Sequence, residues 1–159
     1  MTAPTIERVP VAGERAPDFS LRSTSGATVT LASYAGEKHV LLAFFPGAFT
    51  STCTVELCAF SEDFDRFAGH GVEVLPISVD SVDALAEFKR KYDMKVDLLS
   101  DFKREASRAY GVLWKDAFFA NRAYFLVDRA GVVRWAHVEA NPGLRRDNHE
   151  ILEQIAKLA

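Results

Sequence analysis

The stretch from His39 to Ala68 constrains this chain more than any other. An apolar, bulky run from Val40 to Phe45 has the length and composition of a buried strand. Pro46 and Gly47 break it, and the Thr50-Ser51-Thr52 cluster that follows is rich in helix-capping residue types. A helical pattern then begins, with Cys53 in its first turn. A thiol at a helix N-terminus lies near the positive end of the macrodipole, among backbone N–H groups that have no intrahelical partner. Both features favour thiolate, the nucleophilic form of sulfur.

A helical rotation of about 100° per residue shows where that sulfur points. With Cys53 at zero, Leu57, Phe60, Phe64 and Phe67 fall within about 40° of it, so the thiol faces the apolar side. Cys58 falls roughly 140° away, beside Val55, Glu62 and Asp65. A free Cys is commonly a small buried apolar residue, and that ordinary role is the alternative for both thiols. The loop and the capped helix start argue against it at Cys53; at Cys58 it stays open.

A chain of 159 residues suits one domain with a sizeable core. Its 48% apolar and 26% charged content are those of an ordinary globular protein. A net charge of -3 and the lack of a basic run argue against nucleic acid as a partner. No apolar stretch approaches roughly 18 residues, so no membrane span is expected, and no secretory signal is visible. Two cysteines five positions apart make no disulfide framework, so a reducing cytoplasm is the expected location.

Residues 1–15 read as a loosely held arm and 16–159 as one domain. Phe19–Leu21 and Thr28–Leu31 flank a turn signal and form an expected N-terminal hairpin. The Cys53 helix runs to about Ala68 and stops at Gly69-His70-Gly71. Val72–Val79 is the next strand, with Pro76 marking an edge or a bulge. Asp83–Tyr92 is helical, Val96–Leu99 strand-like, and Arg104–Tyr110 a short helix ended by Gly111. Ala123–Val127 and Val132–Glu139 form a second hairpin. Asp147 caps a last helix with Ile151, Leu152, Ile155 and Leu158 inward. The order implies an α/β domain, a central mixed sheet flanked by helices.

The segment P-G-A-F-T-S-T-C resembles the Pro-x-x-x-Thr-x-x-Cys signature of peroxiredoxins, thiol peroxidases on a thioredoxin-like fold. The likeness spans nearly the whole chain: A-P-D-F-S-L (Ala16–Leu21), F-F-P, L-L-S-D (Leu98–Asp101), A-Y-G-V and N-R-A-Y-F-L-V-D-R-A-G (Asn121–Gly131). C-T-V-E-L-C is similar to the bacterioferritin-comigratory-protein (PrxQ) group, whose second Cys lies five residues on. Leu98–Gly131 is equally similar to the one-Cys AhpE-type group. The resemblance implies peroxide as substrate and thioredoxin or a similar dithiol as reductant; no cofactor or metal is expected, and no exposed strand or apolar face decides between a monomer and a small homodimer.

Reduction of a peroxide needs a thiolate, plus fixed donors for the charge that builds on the departing oxygen. Cys53 is the expected nucleophile. Thr50 precedes it by three residues, so its hydroxyl is expected to reach sulfur and peroxide, and Pro46 to shield the thiolate. By resemblance, the N–H groups of Thr52 and Cys53 complete the peroxide cradle. Arg122 matches the family's active-site Arg and offers a planar fork of donors; a solvated charge at a strand start is the alternative. Glu56, one turn after Cys53, accepts from Arg122 or the loop, or is an ordinary acidic residue of the first turn.

Cys58 is the expected resolving thiol, closing an intramolecular disulfide with the oxidised Cys53. Five positions apart in an intact helix, Cα atoms are roughly 8.7 Å apart. A disulfide tolerates up to about 6.8 Å, so a Cys53–Cys58 bond requires the first turns of the helix to unwind. If Cys58 is inert, an external thiol must react instead. Two other functions compete: a thioredoxin-like disulfide oxidoreductase, which needs C-x-x-C, and a copper or zinc carrier, for which these thiols point apart. The histidines at 39, 70, 137 and 149 carry no clear role, and Trp114 with Phe118–Phe119 wall the pocket, fill the core or face a partner.

Overall fold

Alternation along His39–Phe44 (β3) decides the layering. In the computed structural model, which describes residues 8–115 and 118–158, Val40, Leu42 and Phe44 face one core. Leu41 and Ala43 face the other, as does Phe45 just beyond the strand. A strand buried on both faces reads as the continuous apolar run seen in the sequence. Around it lies a seven-stranded sheet in the order β2-β1-β5-β4-β3-β6-β7. Its members are β1 (Ser20–Ser23), β2 (Thr28–Thr30), β4 (Val72–Ser78), β5 (Leu99–Ser100), β6 (Ala123–Val127) and β7 (Val133–Val138). β3 runs parallel to β4, and β4 to β5; the other pairs are antiparallel. The expected mixed sheet and N-terminal hairpin are both present.

The helices α1 (Ser51–Glu62), α2 (Phe64–Gly69), α3 (Val82–Tyr92) and α5 (Asn148–Ala156) supply the core on the Leu41 side, through Cys53, Leu57, Phe60, Phe67, Leu85, Phe88, Ile151 and Ile155. α4 (Glu105–Ala109) covers the other face, where Ala106 and Tyr110 pack on Phe44 and Phe125. Asp147 caps α5 as expected, its carboxylate accepting from the Glu150 N–H at 2.9 Å.

Several expectations need correction. The helix carrying Cys53 does not run unbroken to Ala68: it ends at Glu62, and α2 restarts after Asp63 (φ −94°, ψ 15°). The apolar stripe keeps its phase across this break, which is why periodicity alone hides it. Pro76 sits inside β4 with no register shift against β3. The Phe45 N–H donates to the Ile77 carbonyl and the Asp101 N–H to that of Ser78, so by alternation the Pro76 backbone faces β5. β5 meets β4 only from Ile77 on, so the missing N–H costs no ladder bond. The strand expected over Val96–Leu99 shrinks to Leu99–Ser100, because Val96 and Leu98 fill the core without joining a ladder.

Residues 1–7 of the expected arm lie outside the described residues. The part described is tied down: Gly13 donates to Val133, Val133 to Glu14, and Arg15 bridges to Val132.

Candidate active site

The loop from β3 into α1 sets up the sulfur. Thr50 is the N-cap residue in extended conformation, and its carbonyl accepts from the Thr54 N–H at 2.9 Å and the Thr54 hydroxyl at 2.7 Å. Its hydroxyl departs from expectation: it donates to the Gly47 carbonyl at 3.0 Å and does not bond to Cys53. The N–H groups of Thr52 and Cys53 have no acceptor among the described residues. They are the open donors that a helix start offers. Pro46 is half-buried where β3 ends. Asp80 fastens the loop from the far side, accepting from the Ala48 N–H at 2.8 Å and the Ser78 hydroxyl at 2.7 Å through one oxygen. Phe49 turns through φ 67°, uncommon for a bulky residue, with its ring 4.9 Å from that of Phe88.

Cys53, Glu56 and Arg122 come together although 66 and 69 positions separate the Arg from the other two. Arg122 Nη2 donates to Cys53 Sγ at 3.1 Å and to the Pro142 carbonyl at 3.1 Å. Nη1 donates to Glu56 Oε1 at 2.7 Å. Glu56 therefore takes the first of its expected roles, as acceptor for Arg122. A cation donating to sulfur stabilises negative charge there more than it stabilises a neutral thiol. The Arg122 backbone is held too, its N–H donating to the side chain of Asn121, which donates on to the Glu139 carbonyl.

Tyr124 on β6 was not among the expected site residues. Its hydroxyl donates to Glu56 Oε2 and accepts from the Arg146 N–H, the latter at 2.9 Å. Arg146 in turn donates to Glu139 Oε2 at 2.9 Å. Tyr124 lies in β6 two residues after Arg122, so alternation places both on one face, but nothing in the sequence marks its hydroxyl as a partner of Glu56.

Burial governs the ionisation of this cluster. It pushes the Glu56 carboxyl up, while the Arg122 charge and the hydrogen bonds from Tyr124 and Arg122 pull it back. Burial works against the Arg122 cation, yet the charges of Glu56 and Cys53 outweigh it, and the guanidinium stays protonated. Burial and the neighbouring Glu56 charge push the Tyr124 phenol up, so it remains a donor.

Cys53 itself has no exposed surface. Two cavities of about 400 and 410 Å³ lie elsewhere, around Tyr34 and Lys38 and around Arg22 and Phe102, and Cys53 lines neither. Cys58 lies half-buried on the other side of α1, packed at the margin of the same core, and burial together with Glu62 pushes its thiol up. The two sulfurs are not bonded.

Among the described residues, the partner of Cys53 Sγ is Arg122, and no histidine joins it. His137 instead stacks beside Tyr124 and Trp135. No three residues of His, Cys, Asp or Glu gather into a metal-holding group among the described residues, and no helix there is long and apolar enough to cross a membrane. Phe118 is 76% exposed, so it does not fill the core.

Residues 12–136 match the AhpC/TSA family. Alkyl hydroperoxide reductase E of Mycobacterium tuberculosis is 38% identical over 148 residues, covering 92% of this chain and 96% of that protein. The chloroplastic 2-Cys peroxiredoxin BAS1 of Hordeum vulgare is 34% identical over 160 residues, 94% of this chain and 76% of its own length. Among solved structures, the reduced 2-Cys peroxiredoxin of Plasmodium vivax superposes with a TM-score of 0.86 at 33% identity, over 93% of this chain and 81% of that one. The thioredoxin-like fold, the helix-start thiol under Arg122 and these likenesses agree: the chain belongs to the AhpC/TSA family of peroxiredoxins.

Proposed function

We propose that the Cys53 thiolate attacks one oxygen of a hydroperoxide, forming a sulfenic acid while the other oxygen leaves as hydroxide or alkoxide and is protonated. The observation that carries this reading is the Arg122 Nη2 to Cys53 Sγ contact of 3.1 Å beside the open N–H groups of Thr52 and Cys53. Those donors face the place where negative charge must develop. Arg122 and the helix start hold the charged sulfur, and Glu56 holds Arg122. Thr50 contributes once its hydroxyl turns from Gly47, and Pro46 limits water. The test compares peroxide consumption, with a thiol reductant present, between the parent protein and Cys53→Ser. Equal consumption by the two overturns the reading.

The sulfenic acid then condenses with the Cys58 thiol, releasing water and leaving an intramolecular disulfide that a dithiol protein of the thioredoxin type reduces. This requires α1 to unwind between the two sulfurs. A second reading, an external thiol as the resolving partner, draws on the unbroken α1 and on the burial that keeps Cys58 a thiol. Mass spectrometry after one equivalent of peroxide separates them: loss of two hydrogens, or a sulfenic acid and mixed disulfides. The reaction is assigned to the cytoplasm, where two unpaired cysteines stay reduced. The working unit is assigned as a monomer or small homodimer. Hydrogen peroxide and organic hydroperoxides are the proposed substrates, in line with the name borne by the mycobacterial relative.

A further inference from the structure

Resting on the peroxidase reading above, we propose that Tyr124 is a positioning residue: its hydroxyl orients the Glu56 carboxylate, which in turn holds Arg122 on the Cys53 sulfur. Three observations carry this. The Tyr124 oxygen accepts the Arg146 N–H at 2.9 Å, so its own proton is directed to Glu56 Oε2. That occupies one carboxylate oxygen and presents the other, Oε1, to Arg122 Nη1. Meanwhile Arg122 Nε is buried without a partner among the described residues, so what holds the guanidinium there is what its two η nitrogens meet: Glu56, Pro142 and Cys53.

Of these anchors, Glu56 is the charged one that does not react. A carboxylate with one oxygen unoccupied in a buried site turns toward whatever donor remains, and the fork it grips turns with it. Tyr124 prevents that rotation. It is fully buried and on the same face of the sheet as Arg122 and Leu126, so its hydroxyl has little freedom of its own. The same oxygen secures the backbone at Arg146, four residues past the Pro142 carbonyl that meets Arg122. One phenol thus braces both sides of the guanidinium.

Tyr124→Phe removes a single oxygen and tests the idea. The readout is the rate constant for oxidation of Cys53 by hydrogen peroxide, followed by quenched mass spectrometry from about pH 5 to 9. Expected are a fold like that of the parent by circular dichroism, a rate about tenfold lower near neutrality, and a pH profile displaced upward. Glu56→Gln is expected to displace the profile in the same sense, with the double variant no slower than Glu56→Gln alone. An unchanged profile in Tyr124→Phe, or losses that multiply in the double variant, overturns the inference while leaving the peroxidase reading intact. A parent protein that does not oxidise at Cys53 overturns both. If the phenylalanine variant does not fold, 4-aminophenylalanine at position 124 keeps a donor in place and is expected to retain at least about half the parental rate. A folded protein with that residue and a loss beyond about tenfold counts against the proposal.

Discussion

Arg122 donates to the sulfur of Cys53 across 3.1 Å, and neither side chain has more than 1% of its surface in contact with solvent. Water does not compete for this bond, so its strength depends on what else holds the guanidinium. Shortening that side chain is therefore a direct probe of the site.

Arg122→Lys keeps the charge and loses the fork, so it cannot meet Cys53, Glu56 and Pro142 together. Peroxide reduction should fall by about 100-fold, the usual effect of losing one fixed donor to developing charge. Stopped-flow oxidation by hydrogen peroxide measures it, and a loss below about threefold would show that the charge alone suffices.

The rigidity of α1 is a matter of packing. Leu57 has no exposed surface and lies one turn from Cys53. Leu57→Ala should lower the unfolding free energy by about 2–5 kcal/mol, read from urea denaturation of the reduced protein.

Asp80 ties the loop before Thr50 to the end of β4 through bonds to Ala48 and Ser78. Asp80→Ala strands both donors and should cost about 1–3 kcal/mol in stability. Hydrogen exchange at Ala48 should rise sharply; unchanged protection would mean that the loop is held by other contacts.

Cys58 has a pH signature. Burial, then Glu62, raises its thiol above the ordinary 9.0 in the folded chain. The folded state thus keeps a proton that the unfolded state gives up. Its contribution to stability is complete below about pH 9 and is lost as pH rises through the folded value. Urea midpoints should fall more steeply above pH 9 in the parent than in Cys58→Ser. At neutral pH, alkylation of Cys58 should be slower in the folded Cys53→Ser protein than in urea.

If Cys58 resolves the sulfenic acid, oxidation must open α1. Amide protection from Thr52 to Ala59 should drop after one equivalent of peroxide and return with dithiothreitol. Identical protection in both redox states would point to an external thiol.

Much of this was legible in the chain itself. The inward turn of Cys53 followed from the spacing of Leu57 and Phe60, and the buried strand from the run at Val40–Phe45. Arg122 was a different matter: nothing local marks it, and only likeness to a family singled it out from other strand-start cations. Tyr124 reads as one more core aromatic until its hydroxyl is seen to meet Glu56. Neither the Thr50 hydroxyl's bond to the Gly47 carbonyl nor the left-handed turn at Phe49 is encoded by any periodicity. The break at Asp63 stayed hidden because the residues on either side continue the same stripe.

That break has a mechanical consequence. The amide of Asn148, at the start of α5, donates to the Ala59 carbonyl and to the Asp63 carboxylate, each at 2.9 Å. It clasps the downstream end of the short α1 rod to the last helix. Any unravelling that begins near the reactive sulfur meets this clasp directly after Cys58, so the part of the chain free to swing is about two turns long and the rest stays anchored.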